Sequence, residues 1–287
     1  MLRLNLRDNQ IGDFSACSSM IKLLTLNIAG NGVTDLTPFA NSAKMTSVNV
    51  SRNRISDLSI FSNGAMPELE RLDISENEVR ELTPLSGCTK MELLTANNNR
   101  ITSAKGLETM ALLKGVILYS NQITDISNLP TETLLYVDAA DNQITDISHL
   151  KDLVANEQAL ILNSNQIRDI SALKKGTRYR KLVLYDNPIT SIDVLLESEG
   201  KMNGYSDCFY VSYFEGLSIN PPYKAGYDDQ IYFVDVPSDK QGAILKEAVE
   251  IKSFGLEPQF ISKETADQNI DESREKISNA GSSLFFW

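Results

Sequence analysis

The amino-acid sequence predicts an α/β solenoid, a curved parallel β-sheet of nine repeats with short 3-10 or helical segments on its convex side, followed by a small α+β C-terminal domain. Three observations predict this architecture. One apolar pattern recurs nine times at nearly constant spacing, this pattern stops near residue 189, and most of the net negative charge lies after that point. We therefore divide the chain into a solenoid over 1–195 and a C-terminal domain over 196–287.

The repeated pattern reads Leu-x-Leu-x-x-Asn-x-Ile, as in residues 4–11 and 48–55. Alternating apolar residues make a short strand with one buried face. A single unit of this kind cannot bury that face alone, so neighbouring units stack and share a continuous core. Successive asparagines are 22, 22, 24, 22, 22, 21, 23 and 22 residues apart, at Asn9, Asn31, Asn53, Asn77, Asn99, Asn121, Asn142, Asn165 and Asn187.

This pattern resembles that of the leucine-rich repeat family, specifically the 22-residue class of bacterial internalins and phosphatase-regulating adaptors. The resemblance covers about residues 1–195. It implies that each repeated asparagine lies inside its turn and pairs with backbone groups of adjoining repeats. A buried amide would be costly without such partners. We therefore interpret the nine asparagines as structural rather than as a binding site.

A second ladder lies four residues after the asparagines. Six repeats carry Asp13, Asp35, Asp57, Asp125, Asp146 and Asp169, and the other three carry Glu81, Ser103 and Ser191. A short carboxylate entering a turn can accept backbone N–H bonds and cap the convex segment. Spaced carboxylates could instead indicate calcium or acid–base chemistry. One carboxylate per repeat along a turn edge offers no convergent ligand set, so we predict a structural role.

Outward strand positions are predicted to line the concave face, which solenoids generally use to bind partners. Repeats one to four present small polar groups and arginines there, whereas later repeats present apolar residues and tyrosines beside acidic ones. Such a patch is typical of a protein-binding hot spot. The candidate residues are Leu93, Ile117, Tyr119, Tyr136, Asp138, Ile161, Val183 and Tyr185. Two alternatives stay open: the C-terminal domain folds back over this patch, or outward Ile and Val simply suit strands.

The C-terminal domain alternates predicted strands, over 208–214, 230–236 and 258–262, with helices over 238–254 and 263–278. Nine of the 20 Tyr and Phe residues lie between positions 205 and 233, which suits a small core or a recognition surface. The apolar tail, 284–287, docks on its own domain or on a partner.

Composition excludes several classes of protein. No run of about 18 apolar residues exists, so no membrane span is predicted. A net charge of −11 argues against nucleic-acid binding, because the long-range field repels phosphates. Residues 190–287 contribute most of this charge, with 8 Lys and Arg against 17 Asp and Glu.

Catalytic chemistry is poorly supported. Three distant cysteines make a disulfide framework or a CxxC metal site improbable, and His149 is the only histidine. Bacterial ubiquitin ligases of this repeat family use a Cys-x-Asp motif, but Cys208 is followed by Phe-Tyr. We predict no enzyme activity, no cofactor and no metal site.

The predicted function is a non-catalytic protein–protein interaction scaffold, a bacterial adaptor that binds a protein partner on its concave face. The alternative is an internalin-like cell-surface or secreted adhesin. Unpaired cysteines favour a cytoplasmic location. The sequence starts inside a repeat, and no capping segment precedes that repeat. Native sequence upstream of Met1 that includes a signal peptide would favour the adhesin.

Overall fold

The computed structural model describes residues 2–153, 158–174, 179–192, 194, 208–212, 230–241 and 259–279. The chain divides into two compact units, Met1–Ala155 and Asn156–Trp287. Repeats eight and nine therefore belong to the second unit, together with the segment that we assign to the C-terminal domain.

The first unit contains seven short strands, one per repeat. They are β1 (Arg3–Asn5), β2 (Thr25–Asn27), β3 (Ser47–Asn49), β4 (Arg71–Asp73), β5 (Leu93–Thr95), β6 (Gly115–Ile117) and β7 (Tyr136–Asp138). Each strand pairs in parallel with the next one along the chain, and the registers align equivalent repeat positions, as in Leu4 with Leu26. The middle residue of each strand is buried in the core, as the alternating pattern predicts.

The side of the first unit opposite the strands consists of turns and short 3-10 helices. These helices are Ser15–Cys17, Thr37–Phe39, Ser59–Gly64, Thr83–Gly87 and Ser148–Asp152. Asp35 Oδ1 accepts a bond from the Thr37 amide at 2.8 Å, and Asp13, Asp57, Asp125 and Asp146 bond the amide two residues on in the same way. Phe39 and Phe61 reach from these helices into the core and are fully buried.

The second unit contains five parallel strands, a 3-10 helix (Ser171–Lys174) and one α-helix. The strands are β8 (Gln158–Ile161), β9 (Tyr179–Val183), β10 (Cys208–Ser212), β11 (Gln230–Val234) and β12 (Gln259–Ile261), and the helix is α1 (Lys263–Asn279). Strands β8 to β12 pair in chain order. The three strands and the last helix predicted for the C-terminal segment are therefore confirmed, with shorter strands.

Two further predictions fall partly or wholly outside the described residues. The helix predicted over 238–254 is helical over 238–241, and its remainder is not among the described residues. The apolar tail, 284–287, also lies outside them. Among the helices that the structure does describe, none has the length and apolar character needed to cross a bilayer.

The parallel pairing of strands extends further along the chain than the asparagines do. Phe209 and Ile231 pair in register and are 22 residues apart. Asp235 has a positive φ of 53°, like the residue before each repeated asparagine, but Val236 follows it instead of an asparagine. The regular period therefore stops near residue 189, as expected, but parallel strand pairing continues beyond it, with paired residues 27, 22 and 27 positions apart.

Candidate partner-binding face

A left-handed turn ends the strand segment of every repeat and positions its asparagine. The residue at this turn has φ between 52° and 67° in all nine repeats: Asp8, Gly30, Arg52, Glu76, Asn98, Ser120, Asp141, Ser164 and Asp186. Only the second of these is glycine, although non-glycine residues seldom adopt this conformation. The turn directs the next side chain, the asparagine, towards the interior of the repeat.

Asn99 shows how these asparagines join consecutive repeats. Its Oδ1 accepts a bond from the Val79 amide at 2.9 Å, and its Nδ2 donates to Ile74 O at 2.9 Å, both in the preceding repeat. Nδ2 also donates to two carbonyls of its own repeat. Equivalent bonds to the preceding repeat are made by Asn31, Asn53, Asn77, Asn121, Asn142 and Asn187. Asn9 and Asn165 donate to carbonyls of their own repeats.

The outward side chains of β1–β5 are polar apart from Leu93, and they are exposed on β1 and partly exposed on β2–β5. At the centre of this outward face, Asn27 and Asn49 accept bonds from the amides two residues on, and Asp73 accepts from both the amide and the hydroxyl of Ser75. Asn49 Nδ2 also donates to Asp73 Oδ2 at 3.0 Å. Burial raises the pKa of the Asp73 carboxyl despite these bonds. These local bonds hold the outward side chains in place.

The eight candidate residues differ in accessibility. Leu93 and Tyr119 are partly exposed. The other six are buried: Ile117, Tyr136, Asp138, Ile161, Val183 and Tyr185. Of the eight candidates, Leu93 and Tyr119 are thus the two that a partner could reach.

In the second unit, α1 bonds to outward side chains of β9 and of the turn that follows it. Lys181 Nζ donates to Asn269 O at 2.8 Å and to Ser273 Oγ at 2.6 Å. The Tyr185 hydroxyl donates to the Asp267 carboxylate. This arrangement is the first alternative that the sequence left open, in which the C-terminal segment covers the patch, and it applies here to Tyr185.

At neutral pH, Tyr185 and Lys263 keep the protonation states that their hydrogen bonds between α1 and the end of β9 require. Burial raises the pKa of Tyr185, and the hydrogen bond to Asp267 raises it further, so the hydroxyl keeps its proton. A hydrogen bond to the Asp186 carboxylate raises the pKa of Lys263, which therefore stays charged.

Sequence reasoning did not place two tyrosines on this outward face. Tyr210 and Tyr232 stack with ring centroids 4.7 Å apart, and Lys181 Nζ lies 5.6 Å from the Tyr210 centroid. Tyr210 pairs in register with Val183, so both tyrosines continue an outward column. Their 22-residue separation was the signal that could have placed them there.

Comparisons with known proteins agree with this architecture. A family model described as a leucine-rich repeat matches residues 1–13. An internalin (inlF) from Listeria monocytogenes has a TM-score of 0.62 and 25% identity, over 92% of this chain and 74% of that chain. An internalin C2 from the same organism has a TM-score of 0.56 and 27% identity, over 65% of this chain and 78% of that one.

A leucine-rich repeat protein of Leptospira interrogans has a TM-score of 0.60 over 90% of this chain and 66% of that chain, and its 20% identity shows likeness of fold alone. A comparison with curated proteins finds no match. The 22-residue period, the in-register parallel strands and these likenesses together show that the chain is a leucine-rich repeat protein.

Proposed function

We propose that this protein is a non-catalytic scaffold that binds a protein partner on the outward face of its first unit. The observation that carries the proposal is the array of exposed and partly exposed outward side chains on β1–β5, held by hydrogen bonds within and between repeats, such as that from Asn49 to Asp73. A preformed face loses little conformational entropy on binding, so its contacts convert efficiently into affinity. Extended faces of this kind are the usual binding surfaces of repeat proteins.

Leu93 and Tyr119 are the proposed anchors within this face. Leu93 pairs in register with Gly115, where a Cβ atom would lie only 2.9 Å from Leu93 Cδ1. The glycine therefore leaves room for the leucine side chain across the neighbouring strand. Tyr119 adds an aromatic ring with a polar end, the type of side chain that dominates protein interfaces.

The test is an affinity capture from the native lysate that compares wild type with a Leu93→Ala/Tyr119→Ala variant. We expect a captured partner to bind the double variant at least tenfold more weakly, since anchor residues typically contribute about 1–3 kcal/mol each. Leu112→Ala is the matched control, because Leu112 is an equally apolar residue, 49% exposed, outside the strands. A partner that binds the double variant as tightly as wild type would refute this face.

A second candidate function is an internalin-like adhesin on the cell surface or in the secreted fraction. The identities of 25% and 27% to two internalins favour it. We propose the cytoplasm as the location of the adaptor, and the two buried free thiols, Cys17 and Cys88, are compatible with it. Fractionation of the native cells into cytoplasm, envelope and medium separates the two candidates, because an adaptor stays in the first fraction.

A further inference from the structure

We propose that the outward face along β9 is a helix-binding groove, that α1 is its resident ligand, and that an amphipathic helix of a partner protein replaces α1 there. This inference rests on the proposed function, because it assigns the scaffold a second binding face and states the class of partner. It concerns the second unit, whereas the proposed anchors Leu93 and Tyr119 lie in the first.

The polar contacts define the direction of the bound helix. Lys263, at the start of α1, pairs with Asp186, just beyond the end of β9. Ten residues later, Ser273 accepts a bond from Lys181, in the middle of the strand. The helix therefore runs antiparallel to β9. A positive group at one end of the groove and a negative group at the other would select this direction in any helix that binds.

The apolar contacts define the side chains that the groove accepts. Ala266 and Ile270 are at most 1% exposed and lie four residues apart, hence on one face of α1. Val183, the last residue of β9, and Tyr185, two residues later, are buried to the same extent. Docking of one apolar helix stripe into a groove is a recurrent mode of peptide recognition. The matching partner helix carries a small residue and an aliphatic residue four positions apart, with an acidic residue beside the small one.

The attachment of α1 is weak enough to permit replacement. Within its described residues, only Ala266 and Ile270 are fully buried, and one of these is the smallest apolar side chain. The side chains of the Lys263–Asp186 pair are 44% and 51% exposed, and exposed pairs contribute little. A partner helix that keeps this small and aliphatic pair and buries further apolar residues on the same face would compete effectively.

A labelled peptide tests the groove without the native partner. The probe is a fluorescent peptide of residues 263–279, added to the full chain and followed by anisotropy. In an Ala266→Glu/Ile270→Glu chain, two buried carboxylates expel the chain's own helix. We expect this chain to bind the peptide at least tenfold more tightly than wild type does. Gln268→Glu/Glu275→Gln, on the exposed side of α1, is the control and should bind like wild type.

A milder variant keeps the test decisive if the double variant does not fold. Lys263→Glu retains every buried apolar residue but places a carboxylate beside Asp186, and we expect at least threefold tighter peptide binding. A peptide with Ile270→Glu should not bind any chain. The proposal is overturned if proteolysis shows α1 released in a folded variant and the peptide still binds no better than to wild type.

This outcome is independent of the partner assay. A chain with Leu93→Ala/Tyr119→Ala retains the whole β9 groove, so it should give the same peptide result whether or not those residues bind a partner.

Discussion

The outward residues of β1–β5 and of β9 occupy equivalent positions of the repeat, but their side chains differ in hydrogen bonding and burial. On β2–β4, polar side chains bond to their own repeat, as Asn27 does to the Ala29 amide, and the face stays accessible. At the end of β9 and in the turn after it, Val183 and Tyr185 are buried, and the Tyr185 hydroxyl bonds to Asp267 of α1. The same backbone thus supports an open face where its residues are polar and a covered one where they are apolar or aromatic.

This difference shows that strand position alone does not define a binding surface in a repeat protein. Exposed apolar area is costly, so a chain either reserves it for a partner or covers it with its own residues.

The prediction with the largest expected effect compares two tyrosines, Tyr119 and Tyr185, that occupy the same position of their repeats. We expect Tyr185→Ala to lower the free energy of unfolding by about 4 kcal/mol, because it leaves a cavity beneath α1.

Tyr119→Ala is the matched variant, and it should cost only about 1 kcal/mol, because this side chain is partly exposed. Urea unfolding at 25 °C measures both. Equal losses at the two positions would mean that β9 is no more covered than β6.

The asparagine ladder gives the next largest effect. Asn99→Ala removes four hydrogen bonds, two of them to the preceding repeat, and leaves the Val79 amide unpaired, whereas the Ile74 carbonyl still accepts from Asn77. We expect a loss of about 3 kcal/mol. Asn9→Ala is the control, since Asn9 is exposed and its two bonds lie within its own repeat, and it should cost less than about 1 kcal/mol. A similar urea midpoint for both variants would contradict the role of the bonds between repeats.

The turn aspartates give a smaller, pH-dependent effect in the first unit. Backbone N–H bonds lower the pKa of Asp35, Asp125 and Asp146. Their contribution to stability is thus complete above the unfolded pKa of about 3.9 and is lost as the pH falls below it through the folded values. Replacing all three by Asn should make the urea midpoint fall less steeply between pH 5 and pH 3 than it does in wild type.

Asp73 should have the opposite effect on the pH dependence of stability. Burial raises its pKa, so its contribution is present at low pH and is lost as the pH rises through the folded value. Asp73→Asn should therefore make the urea midpoint fall more steeply between pH 5 and pH 3 than it does in wild type. The triple variant should make it fall less steeply. A flatter profile for Asp73→Asn would show that bonds from Ser75 and Asn49 outweigh burial there.

The smallest effect concerns the ion pair at the start of α1. Lys263→Met should change the free energy of unfolding by less than about 0.5 kcal/mol, because both charged side chains of the pair are about half exposed. Added salt should affect wild type and variant equally in urea unfolding. A loss above 1 kcal/mol would mean that α1 is held mainly by this pair and not by Ile270.

The period predicts most of the fold because its information is local. The nine strands of the predicted solenoid, their parallel order and the turn at each asparagine all repeat within 21 to 24 residues. Strands β10–β12 were predicted as strands, but their pairing was not, because Val236 replaces the asparagine and paired residues such as Leu182 and Phe209 are 27 residues apart. The burial of Tyr185 depends on Asp267, 82 residues away, and no periodic signal reports that contact.

These separations also set an order of folding. Contacts within the ladder close loops of about 22 residues, whereas the Tyr185–Asp267 bond closes one of 82. Loop entropy makes the longer closure about 1.2 kcal/mol more costly, and it gains nothing until β9 has formed. We therefore expect refolding in which strands add to their neighbours first and α1 docks last, as a separate slower phase. During that interval the newly made protein exposes its β9 groove before its own helix arrives.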